Sequence, residues 1–192
     1  MLAINFSLED IQGMTNFEDE RNKLGEGGFG IVFKGRIHPQ NAYGLDEQDV
    51  AIKASHNASF ETRNMWQAEV NYLQRFDHAH IIKLVGYCED PGNSFILVYE
   101  YVAGGTLEEY RKRLNWEGIL RVVRGVASGL QYIHGFEDPK LVYGDLKPGN
   151  ILLLGEDHEP TISDFGSLTE ENRTQAVYSM HYVDIEFVMR GK

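Results

Sequence analysis

Gly25-Glu26-Gly27-Gly28-Phe29-Gly30 sets three of its four glycines in the spacing Gly-x-Gly-x-x-Gly. Glycines so placed let a backbone turn lie close to a phosphate group. Two site types use that spacing. A dinucleotide site needs a helix after the turn, to aim its N-terminus at a pyrophosphate, and an acid about 20 residues on, where Asp49 stands. Here the turn is followed by Ile31-Val32-Phe33, β-branched and aromatic residues that predict a strand. A glycine hairpin lying over nucleotide phosphates fits that better. Lys53 closes the apolar run Val50-Ala51-Ile52, and its ammonium can neutralise phosphate charge if something orients it. Glu69 can do so as an ion pair, although a purely structural salt bridge would look the same in sequence. Further on, Asp145, Lys147 and Asn150 share one short loop, and Asp164 precedes Phe165-Gly166. Chemistry on a phosphate needs little more than positioning and charge neutralisation, which such groups provide.

Ser7 is placed to cap a short helix running to Phe17, with Asp10 at the capping-box position. Leu24, the glycine turn and Ile31 to Phe33 read as strand, turn and strand. Arg36 to Asp49 reads as an exposed loop, and Val50 to Ala54 as a strand. The spacing predicts a helix over Phe60 to Phe76, with Met65, Glu69, Leu73 and Phe76 on one face. A carboxylate on that apolar stripe needs a partner, and Lys53 is the candidate. Lys83 to Glu89 and Phe95 to Tyr101 form a hairpin about Asp90-Pro91-Gly92-Asn93. Asn115 caps a helix through Trp116, Leu120, Val123, Ala127, Leu130 and Ile133 that stops near Gly135. A β-rich half followed by an α-rich half predicts an α+β fold of two lobes, with the boundary between Glu100 and Gly105.

The chain has 192 residues, 42% of them apolar, enough for a packed core. Its net charge of −11, without a basic run, argues against nucleic acid or an anionic membrane as the main partner. Acidic clusters such as Glu18-Asp19-Glu20 and Asp46-Glu47 read as solvated surface. One cysteine, Cys88, excludes an internal disulfide and fits a reducing compartment. No apolar run reaches membrane-span length, and the first residues give neither a signal peptide nor an acylation motif. A cytoplasmic protein is expected. His78 and His80 lie in a turn without a partner at metal spacing, so no zinc site is expected.

Taken together, the glycine loop, Val50-Ala51-Ile52-Lys53, Tyr143-Gly144-Asp145-Leu146-Lys147-Pro148-Gly149-Asn150 and Asp164-Phe165-Gly166 resemble the protein kinase motifs in their order and spacing. Asn22 to Gly30, Glu69 to Leu73, Lys83 to Cys88 and Leu97 to Tyr101 are similar to plant receptor-like kinases, above all the receptor-like cytoplasmic kinases, relatives of the Pelle and interleukin-receptor-associated kinases. Phe6 to Ile11 and Thr15 to Phe17 resemble that family's approach to the glycine loop. The resemblance implies ATP and magnesium at the cleft of a bilobal fold. It makes Asp145 the base for a substrate hydroxyl, Lys147 and Lys53 phosphate contacts, Glu69 the residue orienting Lys53, and Asn150 and Asp164 magnesium ligands. It assigns ATP binding to Leu24, Gly25, Glu26, Gly27, Gly28, Phe29, Gly30, Val32, Ala51, Lys53, Tyr99, Glu100, Tyr101, Val102 and Leu152. Tyr99 matches the gatekeeper, 100–102 the hinge, and Leu73, Leu84, Tyr143 and Phe165 the regulatory spine. Asp145-Leu146-Lys147-Pro148 resembles serine/threonine rather than tyrosine kinases. A protein substrate, a membrane receptor kinase as partner, and recruitment to the plasma membrane follow from the same likeness.

The chain departs from the family at four places. Gly144 replaces the arginine that reads a phosphate on the activation loop, so a phosphate on Thr174 would lack that reader. His181 stands for a glycine in the segment Tyr178 to Tyr182, where Ser179 keeps a hydroxyl. Asp184-Ile185-Glu186 replaces Ala-Pro-Glu. The chain reaches Lys192 before the later C-lobe helices, which would leave apolar surface on the Trp116 to Ile133 helix facing water. The expected domains are an N-terminal extension over 1–19 and a truncated kinase domain over 20–192, divided into an N-lobe with hinge (20–102) and a partial C-lobe (103–192). Two functions stay open: ATP-dependent transfer of phosphate to protein serine or threonine, and a truncated or pseudokinase module that binds nucleotide as a scaffold or decoy.

Overall fold

The computed structural model describes residues 3–28, 30–57, 59–90, 94–137, 139–155 and 157–170. The expectations for Phe29, for the turn residues 91–93 and for Thr174, Tyr178 to Tyr182 and 184–188 lie outside the described residues. The chain forms two compact units, one of Met1–Phe76 with Lys83–Tyr101, the other of Asp77–Ile82 with Val102–Lys192.

The first unit is built on six strands. β1 (Ile4–Asn5) is followed by α1 (Leu8–Met14), β2 (Lys23–Gly27), β3 (Gly30–Ile37), β4 (Gln48–Ser55), α2 (Phe60–Leu73), β5 (Leu84–Asp90) and β6 (Ser94–Glu100). The sheet order is β1-β5-β6-β4-β3-β2. Only β1 runs parallel to its neighbour, pairing Ile4 with Gly86 and Asn5 with Tyr87. Strand alternation splits β4 between two faces. Val50 and Ile52 point into a core with Ile37, Cys88, Ile96 and Val98, while Ala51 and Lys53 point the other way.

Residues of the expected 1–19 extension are part of this core. Phe6 and Ile11 are fully packed into it, with Ile4, Leu8, Met14 and Phe17 around them. The capping box forms as expected: Asp10 N–H donates to Ser7 Oγ, and Ser7 N–H donates to the Asp10 carboxylate. Ser7 Oγ–H and Tyr43 Oη–H also donate to that carboxylate, at 2.5 Å and 2.6 Å, and these donors, the Ser7 hydroxyl first, hold the Asp10 carboxyl below its ordinary range. α1 stops at Met14 rather than Phe17. Thr15 turns extended there, and its hydroxyl donates to Lys34 O at 2.7 Å. α2 likewise ends at Leu73. Phe76 lies beyond it and stacks on Tyr72 instead of extending the buried stripe of Met65, Glu69 and Leu73.

The second unit contains α3 (Leu107–Tyr110), α4 (Trp116–His134), β7 (Leu141–Val142), β8 (Ile151–Leu154), β9 (Glu159–Ile162) and β10 (Thr169–Glu170). β8 and β9 form one antiparallel pair, and β7 and β10 another. Residues 77–82 lie on β9: Ile82 N–H donates to Ile162 O, and Ile162 N–H donates to His80 O. Asn115 caps α4 and Gly135 ends it, as expected. Its buried face differs from the apolar spacing read in the sequence. Gly118, Val122, Gly125, Val126, Gly129 and Ile133 are buried, whereas Trp116 and Val123 are 71% and 58% exposed. The reason is close approach. A Cβ on Gly125 would fall 2.4 Å from Pro160 Cγ, and one on Gly129 would fall 2.8 Å from Ile162 Cδ1. The glycines let β9 press against the helix backbone, and they leave no hydrophobic signal in the sequence. Among the described residues, no helix is long and apolar enough to cross a membrane.

Candidate active site

The register of the first sheet gathers one set of site residues. Val32 pairs with Lys53, Lys53 with Leu97, and Ala51 with Tyr99. Directly paired residues share a face, so Val32, Ala51, Lys53 and Tyr99 lie on the side of the sheet opposite the Ile52 core. α2 brings Glu69 to the same side. Its side chain is 2% exposed, and Lys53 Nζ donates to Oε1 at 2.8 Å. Tyr99 donates its hydroxyl hydrogen to Oε2. Burying a carboxylate costs several kcal/mol unless donors meet both its oxygens, and here they do. Reading the sequence found the lysine but missed the tyrosine. A buried charge needing more than one donor was the available signal.

At the end of the same sheet, β2 and β3 carry the glycine turn. Gly25 pairs with Val32, and Gly27 with Gly30. Among the described residues, a Cβ on Gly25, Gly27 or Gly28 would meet nothing within 4 Å, so the space beside these glycines is open. Leu24 is exposed beside it. Lys23 Nζ holds the Glu26 carboxylate at 2.8 Å, which keeps that carboxyl below its ordinary range. Glu100 follows on β6: its N–H donates to Lys83 O, and its carboxylate accepts from Lys83 N–H at 3.1 Å. Lys34 Nζ lies 4.4 Å from the centre of the Tyr101 ring.

The second set of site residues lies in the other unit, on the loop between β7 and β8. Tyr143 is buried against Phe165, with ring centroids 5.2 Å apart, and donates its hydroxyl hydrogen to Ser163 O. Gly144 takes φ +81°, a conformation that glycine adopts without strain. Asp145 is 8% exposed. Its Oδ2 accepts from Lys147 Nζ at 2.7 Å and from Asn150 Nδ2 at 3.0 Å, while Asn150 Nδ2 also reaches Asp145 O. Its Oδ1 is buried with no hydrogen-bond partner among the described residues. Pro148 opens a 3₁₀ turn that swings Asn150 back onto Asp145. Ser163 ties the next segment to this loop, since its N–H and hydroxyl both donate to Asn150 O. Asp164 then takes the left-handed conformation, φ 58° and ψ 75°, and Ser167 Oγ–H donates to Tyr143 O. The two serines are part of the scaffold that reading the sequence missed. Val102 is buried in this unit and Leu152 half-buried on β8.

A magnesium ion takes oxygen ligands and retains water and phosphate oxygens for most of its shell. Asn150 spends its amide hydrogens on Asp145, leaving Oδ1 as a possible ligand, and Asp164 is a carboxylate two residues past β9. Among the described residues there is no cluster of three or more His, Cys, Asp or Glu that could hold a metal. The donor set therefore fits a hard ion held mainly by phosphate, not an all-protein cage.

Comparison with known proteins agrees with this chemistry. The sequence matches the protein kinase domain over residues 18–191. It is 40% identical over 169 residues to the probable serine/threonine-protein kinase PBL23 of Arabidopsis thaliana, covering 84% of this chain and 42% of that protein. It is 35% identical over 198 residues to the EPD1-interacting receptor-like cytoplasmic serine/threonine-protein kinase 5D of Gossypium barbadense, covering 97% of this chain and 42% of the relative. The probable serine/threonine-protein kinase PBL17 of Arabidopsis thaliana is 38% identical over 180 residues, 88% of this chain and 40% of that protein. The chain thus spans about two fifths of the length of these relatives. A likeness that runs through nearly every element described above leaves one conclusion: the chain belongs to the protein kinase family.

Proposed function

We propose that this chain carries the nucleotide site and catalytic loop of a serine/threonine protein kinase. The observation that carries the proposal is the Asp145 carboxylate. Lys147 and Asn150 hold Oδ2, and Oδ1 is buried without a partner among the described residues. A buried oxygen left this way is suited to a substrate hydroxyl. In the proposed step, Oδ1 accepts the hydroxyl proton of a serine or threonine while the hydroxyl oxygen bonds to the γ-phosphorus of ATP. The bond from that phosphorus to the bridging oxygen breaks, and ADP leaves with the electron pair. Lys53, oriented by Glu69, holds phosphate oxygens, and Lys147 steadies the transferred group. Asn150 and Asp164 would hold magnesium, which supplies neutralisation of phosphate charge. Val32, Ala51 and Leu152 would sandwich the adenine ring, and 100–102 would meet its edge. The glycine turn of residues 25–30 would cover the phosphates.

One relative's name, a receptor-like cytoplasmic serine/threonine-protein kinase, supports a protein substrate and a cytoplasmic place; a membrane receptor kinase as partner and recruitment to the plasma membrane complete the proposal. The test is transfer of labelled γ-phosphate by this chain and by Asp145→Asn. Labelling of serine or threonine that vanishes in the variant supports the enzyme. Stabilisation by MgATP without transfer from either protein would replace it with a nucleotide-binding scaffold.

A further inference from the structure

His56 stands just past β4 and serves neither the core nor the ion pair on Glu69. Its Nε2 lies 3.0 Å from Gly27 O, inside the glycine turn, and 3.7 Å from Glu26 Oε1. A carbonyl oxygen can only accept, so Nε2 carries the hydrogen and donates it. The contact follows from register: Gly30 pairs with Ser55, which brings the next residue of β4's chain alongside the turn.

We infer that His56 is a positioning residue for the phosphate-covering turn, acting through the Gly27 carbonyl, an inference that rests on the nucleotide site proposed above. A trans peptide is planar, so the carbonyl of Gly27 and the N–H of Gly28 point to opposite sides. Holding the carbonyl on His56 fixes the Gly28 N–H the other way, as a donor that needs no further turning when an anion arrives. Among the described residues, the space beside both glycines is open, with nothing within 4 Å of an added Cβ. The Lys23 ammonium acts in the same direction. Glu26 is the turn's own anion and would repel a polyphosphate. Lys23 and His56 stand on its two carboxylate oxygens, at 2.8 Å and 3.7 Å. Without His56, the 27–28 peptide loses its side-chain anchor and Glu26 loses one of its two neighbours. The effect falls on phosphates and not on the base, because among the described residues the polar contacts of His56 go to the turn.

The experiment titrates MgATP and adenosine separately into the full chain as wild type, His56→Ala and His56→Gln, with the melting temperature of each. The expected result is a loss of about 3- to 10-fold in MgATP affinity for His56→Ala, the worth of one such hydrogen bond. Adenosine affinity and melting temperature stay unchanged, and His56→Gln, which keeps an N–H donor, recovers most of the loss. Unchanged MgATP affinity overturns the inference. So does an equal fall for both ligands, which would mean a general loosening of the sheet. Wild-type protein that binds neither ligand removes the nucleotide site itself, a failure seen before any variant is compared.

Discussion

Tyr99→Phe removes one oxygen atom and tests how the buried carboxylate of Glu69 is held. The phenyl ring keeps the place of the phenol, so packing is preserved and the hydrogen bond to Oε2 goes. Lys53 continues to hold Oε1 at 2.8 Å. A hydrogen bond to a charged group contributes about 1.5–3 kcal/mol, and a carboxylate that is 2% exposed has little water to replace it. A loss of about 2 kcal/mol in the first unit is therefore expected. With a urea dependence of about 1–3 kcal/mol per molar, that lowers the unfolding midpoint by about 1 M. The chain has two tryptophans. Trp66 is buried and donates its indole hydrogen to Ile96 O, whereas Trp116 is 71% exposed. Fluorescence therefore reports chiefly on the unit that contains Tyr99. Repeating the change in a Glu69→Gln background should reduce its cost by at least about 1 kcal/mol, because the charge is gone. A midpoint moved by less than about 0.2 M, or fully additive costs, would refute the reasoning and mean that the hydroxyl does not help to hold the charge.

Phe6→Ala should destabilise the first unit by about 3–5 kcal/mol, the usual cost of emptying an aromatic site, although Phe6 lies outside the family match that begins at residue 18. The same urea titration measures it. Gly144→Arg, which restores the family's usual residue, forces a side chain onto φ +81° and should cost about 1–2 kcal/mol, read as a lower melting temperature. His78 predicts a pH dependence. Its Nδ1 accepts from His80 N–H at 3.1 Å, so the ring hydrogen sits on Nε2 and faces Ser128 Oγ at 3.2 Å. Burial first, and the neighbouring His80 second, push its pKa below the ordinary value of about 6.5. The folded state thus favours the neutral ring. The stability this provides is whole above pH 6.5 and is lost as pH falls through the lowered folded value. The drop in melting temperature between pH 7.5 and 5.5 should be smaller in His78→Gln than in wild type, and equal drops would count against the assignment.

Most of the fold was legible because its signals are local. Ser7 with Asp10, Asn115, and the alternation of Val50 to Lys53 each act over a few residues, and the structure places helices and a strand there. The ion pair of Lys53 and Glu69 was legible for a different reason, since a carboxylate on an apolar stripe demands a cation. What escaped depends on contacts distant in sequence. The buried face of α4 is set by glycines that meet Pro160 and Ile162, and no period reveals them. The Tyr99 hydroxyl and the serines at 163 and 167 are ordinary residues until the chain folds around Glu69 and Tyr143. Ile11 reads as part of a short helix and Phe6 as the approach to the glycine loop, and nothing local says that both pack into one core with Cys88.

The path of residues 77–82 bears on how this chain can be taken apart. The chain leaves the first unit after Phe76, lends six residues to the second, and returns at Lys83. No single scission can then release either unit whole. A fragment ending at Tyr101 would carry Ile82 N–H and His80 O stripped of Ile162, their partner on β9, and the Ile81 and Ile82 side chains wet. The complementary fragment would hold β9 and the glycine face of α4 with that same ribbon missing. Each piece would keep what the other lacks, so a nicked chain has reason to stay together and two separately made halves have reason to find each other.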